Sequence, residues 1–86
     1  MKKLVNVQEV EGEGLVSLLG QNVMVVCMNY IYAGKLVGVN DEDILLESAH
    51  LVYETGPFSD KNYKDAQKLP SEEWLIRTSA IESYGV

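Results

Sequence analysis

Six consecutive apolar residues, Val23-Met24-Val25-Val26-Cys27-Met28, constrain this chain more than any other feature. A strand points successive side chains to opposite faces. Val23, Val25 and Cys27 then line one face, and Met24, Val26 and Met28 the other. Six residues are too few for a buried helix, and β-branched valines favour an extended chain. With both faces apolar, both are expected to be covered. The whole chain has only 86 residues. A domain of that size buries about 60% of the surface its unfolded chain exposes, so association with further copies would supply cover that one copy lacks.

Flanking segments read mostly as strands. Leu4 to Val10 reads as a short strand, and Glu11-Gly12-Glu13-Gly14 as a turn or joint. Leu15, Leu18 and Leu19 stand at helical spacing, closed by Gly20. This segment is barely a turn and a half, so it needs packing to survive. After the apolar run, Asn29 to Ala33 reads as a transition. Gly34 to Val39 is the next strand, in which Gly34 and Gly38 permit close backbone approach or a bend. Asn40-Asp41-Glu42-Asp43 is a polar turn. Ile44 to Tyr53 is a third strand, with Ile44, Leu46, Ser48, His50 and Val52 on one face and Leu45, Glu47, Ala49, Leu51 and Tyr53 on the other. Gly56-Pro57 ends it. Phe58 to Glu72 reads as polar and irregular. Glu73 to Arg77 and Ala80 to Tyr84 are the last two strands, joined tightly at Thr78-Ser79.

The fold expected is all-β: a small, strongly bent, five-stranded antiparallel barrel over residues 15–86, with a short N-terminal helix or extra strand and a long variable loop at 56–72. Closing the sheet would remove its exposed edges. An open sheet with a helix on one face is the alternative. Residues 1–14 form an N-terminal extension.

Charge and rare residues narrow the function. Seven Lys and Arg against 13 Asp and Glu give a net charge of −6, the reverse of a common basic nucleic-acid binder. One Cys excludes an internal disulfide, and one Cys with one His cannot alone build a structural zinc site. No apolar run approaches the roughly 18 residues of a membrane span. Asn6, Gln8 and Glu9 interrupt any signal-type stretch after Lys2 and Lys3, so a cytoplasmic protein without membrane contact is expected. No Ser-His-Asp order, phosphate-cradling glycine loop or metal-binding His pair appears, and Gly12-x-Gly14 lacks the rest of a dinucleotide fingerprint. Neither an enzyme nor a cofactor is expected.

Individual residues have plain structural readings beside functional ones. Cys27 in the apolar run reads as a buried thiol rather than a nucleophile. His50 reads as a surface or interface residue. Asp41, Glu42 and Asp43 form a solvated turn, or hold a hard cation through their oxygens. Tyr30 and Tyr32 share a strand face, for interface packing or for base stacking. Trp74 anchors the long loop, which carries Asp60, Lys61, Lys64, Asp65 and Lys68 between aromatic residues and is the candidate protein-binding surface. Arg77 is a hydrogen-bond donor and a stacking plane for a nucleotide, or pairs with an acid such as Asp43.

The order of these elements resembles the Sm-like (Sm/LSm) family. Gly20, Val23, Val25 and Cys27 match the opening of that family's first motif, and Gly34 and Leu36 its Gly-x-Leu step. Leu75-Ile76-Arg77-Thr78-Ser79-Ala80-Ile81 is similar to its second motif, and Leu15 to Leu19 sits where the family places a helix. Asn40 stands where the family usually has Asp, and Asp43 near its RNA-contacting Asn. The resemblance implies a non-catalytic homo-oligomeric ring of about five to seven subunits. The role expected for this chain is that of a scaffold or protein-interaction module of unknown ligand. The alternative is single-stranded RNA binding at the ring pore, through Arg77, Asp43 and Asn40, with Tyr30 and Tyr32 as stacking candidates.

Overall fold

A computed structural model describes residues 14–60 and 62–86. The strand expected at Leu4 to Val10, and most of the joint after it, lie outside these residues. The first element of the described residues is a one-turn 3-10 helix, Leu15–Leu18, shorter than the helical spacing suggested. Leu15 and Leu18 pack on the core. The helix is tied to the sheet where Gly20 N–H donates to the Leu36 carbonyl (2.7 Å) and Leu36 N–H to that of Gln21 (2.9 Å).

Six strands follow: β1 (Asn22–Cys27), β2 (Ile31–Val39), β3 (Asp43–Glu54), β4 (Asp65–Lys68), β5 (Glu73–Arg77) and β6 (Ile81–Gly85). β2 starts three residues before the expected Gly34, so the apolar Ile31-Tyr32-Ala33 belongs to the strand and not to a transition. All pairings are antiparallel: β6 on β1, β1 on β2, β2 on β3, then both β4 and β5 on the outer side of β3. β4 falls inside the segment read as irregular. It pairs Asp65 to Lys68 with Glu54 to His50.

The expected five-stranded closed barrel is wrong: the sheet is bent but open. Among the described residues no ladder joins β6 to β4 or β5. The link between β5 and β6 explains this. Thr78–Ala80 is a single 3-10 turn. It carries the chain from the β3 ladder to the β1 ladder at the other side of the sheet, rather than reversing it into a hairpin. Two edges are left without a partner strand among the described residues, β6 at one side and β4 with β5 at the other.

Val23, Val25, Leu36, Ile44, Leu46, Ala49 and Ile76 form the buried core, and Leu36, Ile44 and Leu46 are fully inaccessible. Each such side chain contributes about 1.5–3 kcal/mol on burial. The second face of β1 is covered less: Met24 and Val26 are half-buried and Met28 is 87% exposed.

The alternation expected for β3 holds from Ile44 to Leu46 and fails at Ser48. Ser48 adopts φ +54°, the left-handed region, and is exposed. That kink shifts the phase, so Ala49 joins Ile44 and Leu46 in the core. It also marks where β3 exchanges β5, its partner up to Glu47, for β4, its partner from His50. Gly34 crosses β3 beside the kink, where a Cβ would lie 3.1 Å from both the Ala49 Cα and the Glu47 carbonyl oxygen.

Candidate functional site

The turn between β2 and β3 organises three of the five candidate residues. Asn40 Oδ1 accepts the N–H groups of Glu42 and Asp43, each at 2.8 Å. The Asn40 N–H donates to the Asp43 carbonyl at 2.9 Å. An Asn side chain standing in for a backbone acceptor is the chemistry that suits it to tight turns. The turn docks on the end of β5: Thr78 N–H donates to the Glu42 carbonyl and Thr78 Oγ1 to that of Asp41, both at 2.8 Å. In the register, Asp43 stands opposite Arg77.

Arg77 Nε lies 3.8 Å from Asp43 Oδ1. The pair is loose, and the Arg77 side chain stays 72% exposed. Exposed ion pairs of this kind are worth about 0–1 kcal/mol. The guanidinium thus keeps most of its donors facing solvent. Asp41 and Glu42 are exposed beside it, so an approaching anion meets Arg77 amid carboxylates.

Tyr30 and Tyr32 are not part of this cluster. They stand at the opposite end of β2 from Asn40. Their rings meet edge to face, with centroids 6.4 Å apart and planes at 63°. Tyr32 packs on the core while Tyr30 is 53% exposed. Burial, with smaller contributions from Cys27 and Tyr30, raises the Tyr32 hydroxyl above its ordinary pKa. Cys27 is free and half-buried, less enclosed than expected, and burial raises its thiol pKa. A raised value leaves less thiolate for nucleophilic chemistry. Trp74 packs against the core beside Leu46.

His50 faces away from the main core, level with Ala33 and Lys68. Its Nδ1 lies 3.1 Å from the Ser48 carbonyl oxygen, which fixes that nitrogen as the donor. It lines a cavity of about 850 Å³ between the sheet and the loop after β3. Met24 and Ala33 line it from the sheet, Phe58 and Tyr63 from the loop, and Val86 lines it as well. The volume is in the range of small-molecule pockets. Sequence reading missed this enclosure. Phe58 and Tyr63, two aromatic residues in a polar segment, were its only signal. Among the described residues, no group of three or more His, Cys, Asp or Glu side chains is arranged to hold a metal ion.

No family model matches the chain, and no curated protein matches it significantly.

Proposed function

We propose that the chain is a non-catalytic, ring-forming scaffold or protein-interaction module of Sm-like type. One observation carries this reading. Among the described residues the open sheet ends without a partner strand at both sides, in β6 at one and in β4 with β5 at the other. An unpaired edge presents free N–H and C=O groups that pair readily with another chain. Two different edges on one subunit make a head-to-tail contact, which closes into a ring when the rotation permits. Leu75 supports the same assignment. It lies in the middle of β5, is 64% exposed, and belongs to an otherwise polar outward face with Glu73 and Arg77. The order of motifs from Gly20 to Ile81 is the second support.

Light scattering coupled to size exclusion tests the proposal. The expected mass is several times 9.6 kDa. A persistent monomer at micromolar concentration overturns it.

The exposed guanidinium of Arg77 favours a second reading, single-stranded RNA bound where Arg77, Asp43 and Asn40 meet. Titration of the assembly with labelled U-rich and A-rich oligonucleotides separates the two. RNA binding predicts affinity that falls steeply with salt and falls further in Arg77→Ala. A scaffold predicts no retention on RNA at any salt.

A further inference from the structure

We infer that Glu72 is a latch that holds β3 bent at Ser48, and that acid releases it. Ser48 is the one non-glycine residue with positive φ among the described residues. A left-handed conformation at such a residue is strained and persists only where its surroundings hold it. Glu72 holds it twice. Its carbonyl accepts the Ser48 N–H at 2.8 Å, and its Oε1 accepts the Ser48 hydroxyl at 2.5 Å. Oε2 in turn accepts from Lys68 Nζ at 3.2 Å. On the other side of the kink, Leu69 N–H donates to the Ala49 carbonyl at 2.9 Å. The segment between β4 and β5 is thus fastened to β3 at the residue where β3 changes partners.

The latch has consequences on two sides. Ser48 and His50 line the large cavity, so release alters its wall. β4 and β5 share the outer edge of the sheet, so release also alters the line of that edge.

Acid sensitivity follows from the carboxylate. The hydrogen bond from Ser48, then the bond and charge of Lys68, hold the Glu72 carboxyl below its ordinary pKa. A depressed folded-state value stabilises the structure above the unfolded-state value. That stabilisation is lost as pH falls through the folded value. The surrounding charges are Lys68 on β4, Glu47 and His50 on either side of Ser48, Glu73 opposite Glu47, and Lys35 opposite Glu47 from β2. His50 reaches the Ser48 carbonyl rather than the carboxylate.

Amide hydrogen exchange tests the latch on the full chain. In Glu72→Ala, protection at the Ser48 and Leu69 amides should fall about tenfold, the scale of one lost hydrogen bond, while Leu36 and Ile76 stay protected. Adding Ser48→Gly should restore it, because glycine takes this φ without strain. In the unaltered chain the same two amides should lose protection below about pH 4.3, the ordinary glutamate value. Glu72→Gln keeps an acceptor for the hydroxyl but no charge, and should abolish that pH response. A uniform loss across the sheet, no loss at all, or a pH response that persists in Glu72→Gln would each overturn the inference.

Discussion

Gly34 has no room for a side chain. A Cβ there would sit 3.1 Å from the backbone of both Ala49 and Glu47, and backbone cannot yield as a flexible side chain does. Gly34→Ala is expected to lower stability by about 1–3 kcal/mol, the range for overpacking, read as a lower denaturant midpoint with unchanged slope. Gly20→Ala is the control: its Cβ would meet open space, and only its φ of +86° resists the change. It should cost about 1–2 kcal/mol from the left-handed backbone alone. Close approach at Gly34 was legible in the sequence, because a glycine inside an apolar strand has few other uses. Ser48 was not. Strict alternation put it on the same face as Ile44 and Leu46, and nothing in Glu47-Ser48-Ala49 announces a positive φ. The kink comes from Glu72, 24 residues away.

At the scale of elements, the turn before β3 makes a sharp prediction. Asn40 Oδ1 serves two backbone donors. Asn40→Ala should therefore lower the melting temperature by an amount corresponding to about 0.5–2 kcal/mol, as for other side-chain acceptors serving backbone donors. Asn40→Asp keeps the acceptor and should be nearly neutral; an equal loss in both would show that the amide nitrogen matters instead. Asp43→Asn, which weakens only the 3.8 Å contact with Arg77, should cost less than about 1 kcal/mol. The turn was legible from four polar residues between apolar runs, and so was the pairing of Arg77 with Asp43. β4 was not legible. Its four residues, Asp65-Ala66-Gln67-Lys68, are polar and too few to show alternation, and they become a strand only because β3 extends to Glu54 and offers an edge. Within one subunit Tyr30 and Tyr32 do not join Arg77. Tyr30 precedes β2 and Tyr32 is its second residue, so the rest of the strand, residues 33–39, separates them from the turn.

At the scale of the whole molecule, a succession of short, bent antiparallel strands with edges to cover pointed to closure, and the sheet does not close on itself. With β6 already on β1, closure would need β6 to pair also with β4 or β5, and the one-turn link at Thr78–Ala80 forms no hairpin that would lay β6 on β5; among the described residues no such ladder exists. In the proposed ring, that pairing would be met between chains. Leu75 is the residue that distinguishes a used edge from an idle one. It contributes little to the subunit, being 64% exposed, so Leu75→Glu should leave the denaturant midpoint of the isolated subunit within about 0.5 kcal/mol of the unaltered chain. At a subunit contact the same change buries a carboxylate without a partner, which costs far more. Light scattering should then report 9.6 kDa for Leu75→Glu where the unaltered chain runs as a multiple of that mass. Equal multiples for both would place the contact elsewhere than β5. A monomer for both would leave the edges unpaired in solution and remove the ring.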